Sequence, residues 1–267
     1  MLMKTKWVSR VLCGLLAAGL LCGFAALPAE ENANLVSRQF QTAQQIDRIS
    51  VEDAISDVTI RTADTDHITV DYADTAERPL YTISVEDGLL SIHTTKEEIE
   101  GKKMSLIKIR IDGKTVSRRP DHDLVITLPQ KKYQDVSVAL AVGSLSVEGV
   151  QAAQLTAEAA VNTVKLSGIQ ADQLNAANAV GKVTLRDSQI GNAEIEGAVG
   201  GVAVENVTAS GQMTLSSAVS KIALKDVTAH ELSVQSFLGL ISYKNVEAAC
   251  FSEESALTLG IGAVSQQ

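Results

Sequence analysis

At 267 residues the chain has room for one large domain or two small ones. Hydrophobic residues make up 45% but aromatics only 3%, so the apolar content is mostly Ala, Val, Leu and Ile, which favours short repeated strands over an aromatic-centred core. A formal net charge of −9 speaks against a nucleic-acid partner, and against anionic lipid as the main one.

Residues 1–29 read as a signal peptide or an N-terminal membrane anchor. Lys4, Lys6 and Arg10 form a basic flank, and the apolar run Val11 to Leu27 carries no charge. Leu27-Pro28-Ala29 is an imperfect small-x-small cleavage pattern, so release and retention both stay open. With the basic flank preceding the apolar run, the rest of the chain is expected outside the cytoplasm, secreted or anchored. Cleavage removes three basic residues and takes the net charge from −9 to −12. Cys13 and Cys22 leave with the segment, and Leu21 before Cys22 does not suit lipidation. Cys250 alone remains, so no intramolecular disulfide is expected.

Residues 30–43 are polar and read as a linker. Residues 44–130 read as an irregular N-terminal β coil with hairpins. Ile49, Val51, Ile55, Val58 and Ile60 have the internal spacing of Leu155, Ala157, Val161, Val164 and Leu166, which predicts a first coil, and Ile68 and Val70 continue its register. Strands are predicted at Tyr81-Ile83-Val85, Leu90-Ile92, Ile107-Ile109-Ile111 and Leu124-Ile126-Leu128, with Asp87-Gly88 and Asp112-Gly113 as hairpin turns. Lys102, Lys103, Lys108, Arg110, Lys114, Arg118 and Arg119 crowd this region of an otherwise acidic chain. They form a candidate patch for an anionic ligand, or a charged edge that resists edge-to-edge pairing.

Residues 131–267 repeat every 19 residues. Three columns are expected to point inward: Val142, Val161, Val180, Val199, Val219, Leu238 and Leu257; Leu145, Val164, Val183, Val202, Ile222 and Ile241; Val147, Leu166, Leu185, Val204, Leu224 and Tyr243. All three slip by one residue near Ser210-Gly211, which marks an inserted turn residue. Ala141, Ala160, Ala179 and Ala198 precede a bend column of Gly143, Asn162, Gly181, Gly200, Ser220 and Gly239. A second bend column is Gly149, Gly168, Asp187, Asn206, Asp226 and Asn245. Period-two alternation between bends predicts strands with one buried face. The fold class is therefore all-β, a parallel β-solenoid (β-helix) of 19-residue coils with an irregular N-terminal β cap. A leucine-rich repeat is the competitor, disfavoured by the short period and the alternation.

Ile49-Ser50-Val51 leading to Asp57-Val58-Thr59-Ile60, then Asp87-Gly88-Leu89-Leu90-Ser91-Ile92, then Val125-Ile126-Thr127-Leu128-Pro129 before the repeats, resembles the putative-adhesin β-strand-repeat family, domain of unknown function 4097. The resemblance covers about residues 45–262. It implies a bacterial extracytoplasmic β-solenoid, often beside envelope-stress regulators, and no catalytic residues.

No catalytic, cofactor or metal constellation is read from the chain. Glu158, Glu194 and Glu196 face outward as solvated surface. Asp187, Asn206, Asp226 and Asn245 suit a bend without any ion, although a Ca²⁺ ladder is the competing reading. His67, His93, His122 and His230 lack metal-ligand spacing. At the C-terminal end Leu257, Leu259 and Ile261 form an alternating strand whose edge is expected to pair with a second copy or a partner strand. Phe237, Tyr243 and Phe251 are expected to plug the core there. The expected function is a non-enzymatic exported envelope protein, a binding or adhesion scaffold for envelope polymer, lipid headgroups or a protein partner. The alternative is a membrane-retained accessory factor of envelope-stress signalling, and a carbohydrate-active β-helix enzyme is the third reading.

Overall fold

The computed structural model describes residues 35–54, 56–75, 79–94, 109–111, 114–116 and 123–266. Fourteen strands are present among them: β1 (Leu35–Thr42), β2 (Arg48–Asp53), β3 (Asp57–Ala63), β4 (Ile68–Thr75), β5 (Tyr81–Glu86), β6 (Leu89–Thr94), β7 (Ile109–Ile111), β8 (Lys114–Val116), β9 (Asp123–Pro129), β10 (Lys132–Val142), β11 (Leu145–Glu148), β12 (Gln151–Ser167), β13 (Gln170–Ile261) and β14 (Val264–Gln266). The protein is all-β. Twelve strands share one sheet, while β7 and β8 form a separate two-stranded one.

Parallel pairing builds the body. β10 pairs with β12 from Lys132 opposite Gln151 to Val142 opposite Val161, an offset of 19 residues. β12 pairs with the start of β13 at the same offset, Leu155 opposite Leu174 and Val164 opposite Val183. Aliphatic residues at alternate positions therefore stack on their equivalents, and Leu155, Val164, Leu166, Val183 and Leu185 are at most 1% exposed. Burial of each such side chain stabilises by about 1.5–3 kcal/mol.

Both bend columns are visible in the backbone. Asp187, Asn206, Asp226 and Asn245 hold φ of 50–54°, in line with Gly149 and Gly168 at 69° and 64°. Asn162, Gly143, Gly181, Gly200 and Gly239 hold φ between 115° and 156°, whereas Ser220 is absent from this positive-φ set. The glycines of this first column sit where coils touch, since a Cβ on Gly181 would overlap the carbonyl oxygen of Asn162.

Ile49 to Val51 and Val58 to Ile60 take the parallel register that their spacing predicts. β2 pairs with β10 and β3 with β11, which sets Ile49 opposite Val136 and Val58 opposite Leu145. On the other side β2 pairs with β6 and β3 with β9, again in parallel. The layer made of β6 and β9 thus lies beneath β2 and β3 although it follows them in the chain. Beyond Pro129 the chain passes the first coil to reach β10. This passage is held by the amides of Gln134 and Asp135 on the Asp47 carbonyl, by the Lys131–Asp47 ion pair at 3.0 Å, and by Tyr133 donating to the Pro129 carbonyl.

Three expectations fail. Ile68 and Val70 leave the parallel register: β4 runs antiparallel to β9 and to β1 and closes this end of the sheet. Residues 35–42, read as linker, form β1, because an outer covering strand needs only one apolar anchor, here the half-buried Phe40.

The column Val142 to Leu238 is not inward. Val142, Val161 and Val180 are half-buried, and Val199, Val219 and Leu238 are 36%, 46% and 43% exposed. The inward corner positions belong instead to Leu140, Ala159, Asn178, Gly197, Ser217 and Ser236. A repeated aliphatic beside a bend has the same period whether it lines the core or the outer corner, so periodicity alone does not separate the two.

Candidate functional site

Of the basic cluster, Lys102, Lys103, Lys108, Arg118 and Arg119 lie outside the described residues. Arg110 and Lys114 fall on the hairpin strands β7 and β8, which pair antiparallel with Ile111 opposite Lys114 and Arg110 opposite Thr115. The hairpin is therefore present where Asp112-Gly113 places it, with Arg110 and Lys114 on neighbouring rungs and so on opposite faces of the two-stranded ladder.

At the C-terminal end Leu257 and Leu259 lie within β13, and Ile261 is 55% exposed. β14 pairs with Val246–Ala248 and so covers that stretch of strand edge. Tyr243 and Phe251 meet edge to face at 5.7 Å, with Tyr243 donating to Glu253 at 2.7 Å, so these two rings fill this end of the core. Phe237, expected to join them, instead stands outside at 55% exposed, because it occupies the corner column of Ala141 to Ala218 rather than an inward one.

The Asp/Asn ladder makes its own hydrogen bonds. Asn206 Nδ2 donates to Asp187 Oδ1 at 2.6 Å, and Asn245 Nδ2 to Asp226 Oδ1 at 2.8 Å, each across one coil step. Among the described residues no group of three or more His, Cys, Asp and Glu could hold a metal ion. Glu205 has Arg186 and Lys225 beside it, and the hydrogen bond from Lys225 holds its carboxyl below the usual range.

A buried polar cluster lies under the N-terminal cap. Asp53 takes an inward position on β2, following Ile49 and Val51, and is 5% exposed. Tyr81 Oη donates to Asp53 Oδ2 at 2.5 Å and is 2.5 Å from Ser56 Oγ, and the Ser56 amide donates to Asp53 Oδ1. Alongside, Asp74 (2% exposed) receives the Leu80 amide at 2.6 Å and the Arg38 guanidinium at 3.1 Å. Burial, reinforced by the Asp53 charge, pushes the Tyr81 phenol well above its ordinary value. These bonds tie β2, β4 and β5 together, and the arrangement holds the cap shut. Its one sequence signal was a carboxylate at an inward register position. The partners Asp74 and Tyr81 come from other strands at no fixed spacing.

The outer corner carries a repeated apolar pair. Ala141-Val142, Ala160-Val161, Ala179-Val180, Ala198-Val199, Ala218-Val219 and Phe237-Leu238 precede successive bends and form an apolar stripe. The exposed Glu158 and half-buried Glu196 lie just before it, and the exposed Lys182 and Lys221 just after it.

The architecture has a solved counterpart. A putative adhesin from Bacteroides fragilis aligns at TM-score 0.57 with 17% identity, over 86% of this chain and 97% of that one. A putative lipid binding protein from Parabacteroides distasonis aligns at TM-score 0.45 with 13% identity, over 88% and 98%. A putative adhesin from Parabacteroides merdae aligns at TM-score 0.40 with 13% identity, over 90% and 100%. No curated protein matches the chain. The family model described as Toastrack DUF4097 matches residues 46–218, more than half of the sequence, so the chain belongs to the Toastrack DUF4097 family.

Proposed function

We propose that the protein is a non-enzymatic, exported scaffold of the cell envelope: a parallel β-solenoid of 19-residue coils, spanning 131–267, whose outer wall binds an extended partner. The nineteen-residue offset of β10 on β12 and of β12 on β13 carries this reading. It stacks equivalent outer side chains about 4.8 Å apart in straight columns, a rigid template on which repeated groups of a polymer or strand meet repeated contacts. The shared fold with the Bacteroides fragilis putative adhesin supports a binding role. The apolar, basic-flanked residues 1–29 support export. The basic hairpin supplies the contact for anionic wall polymer or lipid headgroups, and the strand at Leu257, Leu259 and Ile261 supplies an edge for a partner strand.

The test is retention of the full chain on cell-wall polymer and on membrane vesicles. Binding should weaken as salt rises and should be lost when Lys108 and Arg110 are changed to Glu. Retention unaffected by both changes would remove the hairpin from the reading, and turnover on a polysaccharide panel would overturn the reading itself.

A further inference from the structure

The apolar stripe has flanks of opposite sign. Val199, Val219, Leu238 and Phe237 are 36–55% exposed in adjoining columns, and stacked at about 4.8 Å per coil the stripe runs for about 24 Å. A row of this length on one corner exceeds the scattered single apolar residues of an ordinary surface. On the side that precedes the corner stand Glu158 and Glu196, equivalent positions two coils apart. On the side that follows it stand Lys182 and Lys221, also equivalent and two coils apart. A membrane of one sign would attract one flank and repel the other. A second copy would not, provided its orientation is right.

A two-fold axis along the stripe lays the acidic flank of each copy on the basic flank of the other and keeps equal coils level. A two-fold axis across the stripe sets acid against acid and base against base. We infer that the stripe is a self-association surface on which two copies pair side by side and parallel. Phe237 and Leu238 of one copy meet the same residues of the other, Glu158 stands one coil step, about 4.8 Å, from the level of Lys182, and Glu196 lies between the levels of Lys182 and Lys221. One apolar pair per coil makes a narrow patch beside the ~800 Å² per partner of a standard interface, so the pairing is reversible and concentration-dependent. Parallel pairing puts both N-termini at one end, which suits two copies sharing one membrane. The inference rests on the coil stacking proposed above.

Two measurements on the full chain test it. Light scattering across concentration should show a monomer–dimer equilibrium. Phe237→Asp with Leu238→Asp should raise its dissociation constant at least about tenfold. Lys221→Glu should weaken it, and adding Glu196→Lys should restore it. These positions are largely outward, so thermal melting should stay near wild type, and a collapse of melting in all of them would count against the stacking instead.

In a background with Cys13, Cys22 and Cys250 replaced by Ser, Val219→Cys should form a disulfide with its own counterpart on oxidation. Mixed Val161→Cys and Val219→Cys samples should give only like-with-like products. Cross-products between the two would show the antiparallel arrangement. A dimer that never traps Val219→Cys would point to end-to-end pairing through the C-terminal edge. A monomer at all concentrations whose vesicle binding is lost with Phe237→Asp and Leu238→Asp would give the stripe to lipid. Each of these three results overturns the inference.

Discussion

Buried phenols make the protein sensitive to alkali. Burial, with the Asp47 charge beside it, pushes Tyr133 up to about 12 from an ordinary value of 10.0. Burial also raises Tyr81, with Asp53 adding to it, and Tyr243, where Glu253 accepts the phenol hydrogen bond. A folded value above the unfolded one means the folded state holds the proton more tightly above pH 10. Stability from these groups is fully present below pH 10 and is lost as pH rises through the folded values. The denaturant midpoint should therefore fall between pH 10 and 12, and Tyr133→Phe should make that fall shallower. An unchanged slope would assign the loss to other groups. Near neutrality Tyr81→Phe should cost about 1–3 kcal/mol, because buried Asp53 loses a donor. The corrected corner gives a sharper contrast. Leu185→Ala, at 0% exposed, should cost about 2–5 kcal/mol in urea unfolding. Val199→Ala should stay within about 0.5 kcal/mol although both residues belong to repeating apolar columns.

At the level of strands and bends, the two turn columns differ in what they tolerate. Gly168 holds φ of 64°, and a Cβ there would meet only Gly149 backbone at 3.5 Å, so Gly168→Ala should cost about 1–2 kcal/mol. Gly181 adds overlap with the Asn162 carbonyl to its φ of 140°, so Gly181→Ala should be much more damaging by thermal melting. Equal losses would mean the coils do not touch at the first bend. Asn206 and Asn245 already occupy carboxylate oxygens of Asp187 and Asp226, so EDTA should leave the melting temperature unchanged. A rise of several degrees on adding Ca²⁺ would make the ladder a metal site.

These bends were legible because Gly, Asn and Asp are the residues that accept positive φ, and they recur in register. The columns through Val164 and Leu166 were legible because alternating aliphatics recur in that same register. The outward placement of the stripe is not legible in the sequence because corner and core aliphatics share one period. β1 was missed because a covering strand can be mostly polar. Of the Asp53–Tyr81–Asp74 cluster only Asp53, at its inward register position, left a signal, because the members meet only after three strands have packed.

Order along the chain and order in space agree from β10 through β12 to the start of β13, but not before β10. The layer of β6 and β9 comes later in sequence than β2 and β3, yet stacks beneath them, and β1, β4 and β5 complete that end with antiparallel pairs. The N-terminal end is thus locked by long-range contacts, whereas in the proposed solenoid each later coil needs only its two neighbours. Coils should then be removable as units. Deleting residues 170–188 joins Ile169 to Gln189, which is one 19-residue step beyond Gln170, and leaves every column in register. The central test is the thermal melt of this deletion, followed by circular dichroism, beside a deletion of 170–179. The 19-residue deletion should keep an all-β spectrum and a cooperative transition, while the ten-residue deletion should lose both. Loss of cooperative folding in the two alike would contradict a solenoid of 19-residue coils.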